Sequence, residues 1–277
     1  MIENAKKIFG KVKGAAFADP YVLYKKEKHL LNQPFFFQGN NGKSILLIHG
    51  WTTTPYELRR LGTYLNKNGY TVYAPMLSGH GTTSNDLEDV RWTDWVYDVE
   101  IAYEKLAKEN EKVFVVGTSI GASLALILAK KHPELSGIVL MATPYKLRLE
   151  KIVEFFITIE SKFRKYRKKF YPPTFGKRET ITRLISYQTY PIKNVLEAAE
   201  VVREARRNLN LVKQPCLLMQ STSDHIVCRK SMEKIYIQIS SKIKDMKYIK
   251  RAYHTFISDI KNEYVFDDIL DFLNRCT

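Results

Sequence analysis

A chain of 277 residues, 45% apolar and 26% charged, carries enough hydrophobic surface for a full core, which excludes a disordered or low-complexity protein. Its three cysteines, Cys216, Cys228 and Cys276, form an odd set with no close pair and no zinc-like spacing, which argues against a disulfide scaffold or zinc module and for a reducing, cytoplasmic location. The net charge of +15 favours anionic partners such as acidic lipid or nucleic acid, although charge runs are most often solvated faces.

Residues 1–34 read as an extension. Its first ~18 residues have the spacing of an amphipathic helix, with Ile2, Ala5, Phe9 and Val12 on one side, able to dock on the body or lie on an anionic interface. Lys6, Lys7, Lys11 and Lys13 break every apolar stretch before a secretory core forms, so export is not expected. No later run approaches the ~18 to 20 apolar residues of a bilayer span.

From Phe35 the pattern alternates between strands and helices. Ser44 to His49 is a continuous apolar run suited to a strand buried on both faces. Thr54-Pro55-Tyr56-Glu57 has the form of a capping box with proline at the first helical position, and Leu58, Leu61 and Leu65 supply a buried stripe until Gly69. A strand at 70–74, a helix at 92–109, a strand at 112–117, a helix at 120–131 and a strand at 137–141 follow. The rhythm stops at Pro144 and resumes near Pro215, with strands at 216–220 and 246–249 and helices at 231–239 and 264–273. Strands separated by helices imply right-handed crossovers and a mostly parallel sheet flanked by helices. Residues 35–144 and 215–277 therefore form one α/β core, and 145–214 an inserted helical cap.

Gly117-Thr118-Ser119-Ile120-Gly121 stands where a buried strand breaks into a helix. Two glycines let strand and helix crowd together around a serine whose hydroxyl is exposed on a strained turn. An alcohol needs a base within hydrogen-bond reach, and the base needs an acid to orient it. His29, His49 and His132 lie before the sheet or at ends of elements, leaving His80, His225 and His254; of these, His254 follows the last strand. Functional groups gather at the carboxyl ends of parallel strands, where Ser119, Asp224 and His254 all fall. Asp224 is preferred over Asp245, Asp259 and Asp267, which occupy turn or helix positions. Taken singly, Asp224 reads as a turn residue and His254 as a packing histidine; together, in this order, they read as a set. The developing oxyanion requires two donors: the N–H after the serine, from Ile120, and one from the loop after an earlier strand, from Trp51.

The ordered set His49-Gly50-Trp51, Pro75 to Thr83, Trp92-Thr93-Asp94-Trp95, Gly117 to Gly121, Ser223 to Val227 and Tyr253-His254 resembles the serine carboxylesterases of the bacterial esterase and monoacylglycerol lipase group, over about residues 34–277. The resemblance implies an α/β-hydrolase fold, with Ser119 as nucleophile, His254 as base, Asp224 as acid, Trp51 and Ile120 as oxyanion donors, and no cofactor or metal. His80 looks structural within it, holding its loop under the site. Phenylalanine is commoner at the position of Trp51, and histidine or leucine at that of Thr118, so a differently shaped pocket is expected.

In the insertion, Ile152, Phe155, Phe156, Ile159, Phe163, Tyr166 and Phe170 fall at helical spacing, a stripe that would roof the nucleophile or anchor the cap. Phe155, Phe156 and Ile159 are the substrate-binding candidates. The run Arg164 to Tyr171 interleaves basic and aromatic residues; its composition also suits nucleic acid, but anionic lipid is the preferred partner, and no nucleic acid is expected. The expected activity is hydrolysis of short to medium acyl esters, monoacylglycerols included. A thioesterase, amidase or acyltransferase on the same residues is the alternative within enzymes, and a basic non-catalytic binding module the alternative outside them.

Overall fold

The computed structural model describes residues 26–146, 150–169, 185–250 and 252–276, with 150–154 in backbone only. The predicted N-terminal helix lies outside the described residues. Among those described, seven strands form one sheet: β1 (Phe35–Phe37), β2 (Lys43–Ile48), β3 (Thr71–Ala74), β4 (Lys112–Thr118), β5 (Gly137–Met141), β8 (Cys216–Ser221) and β9 (Lys244–Ile249). Their order across the sheet is β1-β3-β2-β4-β5-β8-β9, and only β1 runs antiparallel to its neighbour. This is the expected mostly parallel α/β sheet, with an antiparallel edge that Phe35-Phe36-Phe37 had not disclosed.

Both faces of the sheet are covered, which explains the continuous apolar runs of its central strands. Leu46 and Ile48 of β2 and Val113 and Val115 of β4 face one cluster, which includes Trp95 and Val99 of α2 (Trp92–Ala107), the small and aliphatic residues of α3 (Ile120–Lys131), Val201 and Val202 of α5 (Asn194–Arg206) and Met232 and Ile235 of α6 (Lys230–Gln238). Ile45, Leu47, Phe114 and Val116 point the other way, onto Leu61 and Leu65 of α1 (Arg59–Lys67) and Ile269, Phe272 and Leu273 of α7 (Val265–Arg275). The alternation follows the two-residue period of a strand. No helix among the described residues is long and apolar enough to cross a membrane.

The predicted capping box at Thr54 does not form. Pro55–Leu58 is a short 3₁₀ turn ahead of α1, and the Thr54 hydroxyl donates to the Leu31 carbonyl at 2.5 Å instead of capping the helix. Glu57 turns inward, where its carboxylate accepts from the Gly50 N–H at 3.0 Å and the Thr53 hydroxyl at 2.7 Å. Tertiary partners outcompete the local cap because both side chains are buried, where an unmade hydrogen bond is costly.

The segment 145–214, read from the sequence as an inserted helical cap, is not one helical stripe. Its helix α4 (Glu150–Glu160) ends well before Tyr166, which lies in β6 (Tyr166–Lys168), and β6 pairs antiparallel with β7 (Thr189–Pro191). Phe170 falls outside the described residues, as does the side chain of Ile152. The last helix of the insertion, α5, packs its Ala198, Val201, Val202 and Ala205 into the cluster shared with α3. Its apolar face thus belongs to the body of the fold.

Candidate active site

The site begins at the junction of β4 and α3. Ser119 has φ 54° and ψ −119°, a backbone conformation nearly exclusive to glycine and therefore strained. Its N–H donates to the Met141 carbonyl of β5 at 2.8 Å, and its carbonyl accepts from Ala122 at 3.0 Å, which holds the turn from both sides. The flanking glycines are steric necessities. A Cβ on Gly117 would meet the Gly121 carbonyl oxygen at 2.3 Å, and one on Gly121 the Ile48 carbonyl oxygen at 2.2 Å. Strand, turn and helix are thus pressed together around a serine that has no freedom to sink away.

The loops after β8 and β9 bring two more side chains to it. His254 Nε2 stands 3.1 Å from Ser119 Oγ, and His254 Nδ1 stands 2.8 Å from Asp224 Oδ2. The other carboxylate oxygen, Oδ1, accepts the N–H groups of Ile226 at 2.9 Å and Val227 at 2.8 Å. Burial pushes the Asp224 carboxyl up, but the hydrogen bond and charge of His254, with those two N–H groups, outweigh it and hold the pKa below the ordinary carboxylate value. An ionised Asp224 selects the His254 tautomer with a proton on Nδ1, leaving Nε2 free to accept from the serine. Ser119, His254 and Asp224, expected from strand ends and chain order, are joined in one hydrogen-bonded chain through His254.

His80 and His49 lie beneath the neighbouring loop rather than in that chain. His80 Nε2 accepts the Thr52 N–H at 2.9 Å while its Nδ1 pairs with the Ser78 carbonyl at 3.0 Å, and His49 Nε2 accepts the Leu77 N–H at 3.2 Å. Desolvation lowers the pKa of His80 to about 4 and that of His49 well below the ordinary value, so both are neutral near pH 7. His225 is also lowered, by burial and then by His254.

Ile120 is the first residue of α3, so its N–H is among the donors that the helix itself cannot satisfy. Trp51 follows β2 on the loop alongside, and its indole Nε1 donates to Asn194 Oδ1 of α5 at 2.8 Å, with its ring 5.0 Å from that of Tyr190. Phe155, Phe156 and Ile159 are 61%, 62% and 39% exposed on α4, whereas Ile157 of the same helix is buried. The sequence reading missed Glu57, Lys169 and Tyr187, which also converge on this loop. Lys169 reads in the sequence as part of a basic run facing anionic lipid, and the pairing of β6 with β7 carries it inward.

Comparison with known proteins agrees with this geometry. The family model described as Serine aminopeptidase, S33 matches residues 39–261. A carboxylesterase of Bacillus subtilis (strain 168) is 26% identical over 245 residues, covering 88% of this chain and 96% of that protein. A thermostable monoacylglycerol lipase of Bacillus sp. (strain H-257) is 29% identical over 245 residues, covering 88% and 94%. A solved structure from work on two metagenome-derived lipolytic enzymes, LipS and LipT, superposes with a TM-score of 0.80 at 25% identity, covering 88% of this chain and 98% of that one. With its sheet order, its strained serine and most of its length matched by one model, the chain belongs to the serine aminopeptidase S33 family of α/β-hydrolases.

Proposed function

We propose that this protein is a serine hydrolase that cleaves carboxylic esters of short to medium acyl chains, monoacylglycerols among them, through an acyl-enzyme on Ser119. The hydrogen-bonded chain from Ser119 through His254 to the buried carboxylate of Asp224 carries this reading. His254 Nε2 takes the hydroxyl proton as Ser119 Oγ attacks the ester carbonyl, and Asp224 stabilises the resulting imidazolium. The tetrahedral oxyanion is met by the N–H groups of Ile120 and Trp51. His254 then returns its proton to the departing alcohol, and a water attacking the acyl-enzyme repeats the path in reverse. The carboxylesterase and monoacylglycerol lipase relatives support an ester as the scissile group. A fluorophosphonate probe should label the folded protein once, on the peptide that contains Ser119. Label on any other residue, or none at all, removes the basis of the assignment, and a paired p-nitrophenyl ester and p-nitroanilide assay separates ester from amide cleavage.

The exposed face of α4 gives the substrate a route. Phe155, Phe156, Ile159 and the 82% exposed Phe163 lie beside Lys162, Arg164, Lys165, Arg167 and Lys168, all at the surface. Lys165 pairs with Glu88 and Arg167 with Glu160, each at 2.6 Å, which offsets part of the charge. Exposed apolar side chains followed in the chain by exposed cations suit peripheral contact with an anionic membrane, each cation near the leaflet contributing about 1 kcal/mol. On this reading the three apolar residues of α4 take hydrocarbon from the lipid surface toward the mouth of the site. Co-sedimentation with phosphatidylglycerol vesicles should exceed that with phosphatidylcholine and fall with salt, while equal binding to both would remove the role of the basic face. The free thiols of Cys216, Cys228 and Cys276 accord with a reducing cytoplasm.

A further inference from the structure

The loop that carries Trp51 is held from two sides, and one of them is the cap. Thr52 has φ 63°, a left-handed conformation that a β-branched residue rarely adopts. Four hydrogen bonds surround it. Within the body, its N–H donates to His80 and its hydroxyl donates to the Trp51 carbonyl at 2.6 Å. From the cap, the Tyr187 N–H donates to the Thr52 carbonyl at 3.0 Å, and the Lys169 ammonium donates to the Thr52 hydroxyl. Lys169 Nζ also donates to Ser186 at 3.1 Å, and the Lys169 N–H to the Gln188 carbonyl at 2.8 Å. The ammonium therefore bridges the cap and the loop that follows β2.

We propose that Lys169 is a positioning residue for the reaction: by gripping Thr52 from the cap it sets the direction of the adjoining Trp51 N–H, so that oxyanion stabilisation depends on a seated cap. The proposal rests on the serine-hydrolase reading above. A left-handed threonine does not keep its conformation unaided, and the strain must be offset by the groups around it. His80 supplies a neutral acceptor from below. Lys169 supplies the charged donor from above, and Glu57, which holds the Gly50 N–H and the Thr53 hydroxyl, faces it electrostatically across the same loop. An N–H misdirected by a fraction of an ångström loses much of its value to an oxyanion, because the donor must already point where the charge will develop.

The protonation state of Lys169 makes the grip testable. Desolvation brings its pKa down to about 8, with Glu57 pulling the other way. The titratable groups facing it are Glu57, raised by burial, and His80, neutral throughout the working range; Glu57 in turn faces His254. Below pH ~8 the ammonium is charged and the grip is strong; above it the charge is lost. The folded pKa lies below the ordinary lysine value, so the charged form costs folding free energy, and that cost shrinks as pH rises through 8 toward 10.5. Stability and turnover should therefore move in opposite directions over this interval, which a merely structural lysine would not produce.

The experiment compares wild type, Lys169→Met and Lys169→Arg with p-nitrophenyl butyrate from pH 6 to 10, each normalised by fluorophosphonate titration of folded sites. Lys169→Met should lose about tenfold in kcat with KM within about twofold, less than the ~10² to 10³ that outright loss of an oxyanion donor costs. The alkaline fall of the wild type should vanish in Lys169→Met, and Lys169→Arg should recover most of kcat without that fall. Wild-type kcat in Lys169→Met, or a loss confined to KM, overturns the proposal. Should Lys169→Met fail to fold, Thr52→Val removes the gripped hydroxyl without touching the cap; full kcat in Thr52→Val, together with a flat wild-type profile from pH 7 to 10, overturns it equally. A wild type that neither turns over the ester nor labels at Ser119 defeats the hydrolase reading and this one with it.

Discussion

Ser119→Ala should lower kcat for p-nitrophenyl butyrate by about 10⁵-fold while leaving the thermal midpoint within a few degrees of wild type. Oγ is the only heavy atom removed, and the strained backbone that presents it is held by the Met141 and Ala122 hydrogen bonds and by the two glycine contacts, none of which involves the side chain. The residual rate is not zero, because the oxyanion donors and bound substrate still favour attack by water. Stopped-flow and long-time assays of the variant, alongside circular dichroism melting, check both halves. A variant retaining more than about one hundredth of the wild-type kcat would mean that another nucleophile forms the acyl-enzyme.

Asp224→Asn should cost about 10⁴-fold in kcat, although the substitution changes shape hardly at all. In the native site, Oδ1 is occupied by the N–H groups of Ile226 and Val227, which fixes Oδ2 as the oxygen that faces His254. Asparagine would keep its carbonyl oxygen on those N–H groups and turn its NH₂ toward His254. The imidazole would then accept at Nδ1 and carry its proton on Nε2, where it has nothing to take from Ser119. The same geometry fixes the sign of the pH response. With a folded pKa below the ordinary carboxylate value, Asp224 contributes stability that is fully present above the unfolded value of 3.8 and is lost as pH falls through the lower folded one. Protonation of Asp224 therefore does not limit the rate near neutrality. Kinetics of Asp224→Asn at pH 7 and acid titration of wild-type stability test the two statements, and a loss below tenfold would assign the orienting role to another group.

Runs that are buried by more than one neighbour were readable without coordinates. Val113 to Val116 needs apolar residues on both faces, so no polar alternation obscures it, and Ser119, Asp224 and His254 follow from strand ends once those runs are placed. Features set by distant partners were not readable. Thr54 satisfies every local rule for a cap, yet the carbonyl that claims it belongs to Leu31, and Glu57 three residues on is drawn to Gly50. The stripe from Phe155 to Tyr166 keeps its helical spacing only on paper. The chain changes from helix to strand within it, and Phe155, Phe156 and Phe163 are exposed. Lys169 is the plainest instance: in a run of cations nothing marks the one whose ammonium meets a threonine more than a hundred residues upstream.

Position across the sheet also decides how the protein loses its function. Ser119 and the loop bearing Trp51 extend from β4 and β2, at the middle of the sheet, whereas His254 follows β9, an edge strand with a single neighbour and mostly half-buried side chains. Peeling of that margin would part His254 from Ser119 while the central strands stay zipped, since local opening is cheapest where fewest partners must be given up. Opening confined to that border would therefore silence the molecule before its interior melts, and turnover would report on this edge of the sheet rather than on its average strength.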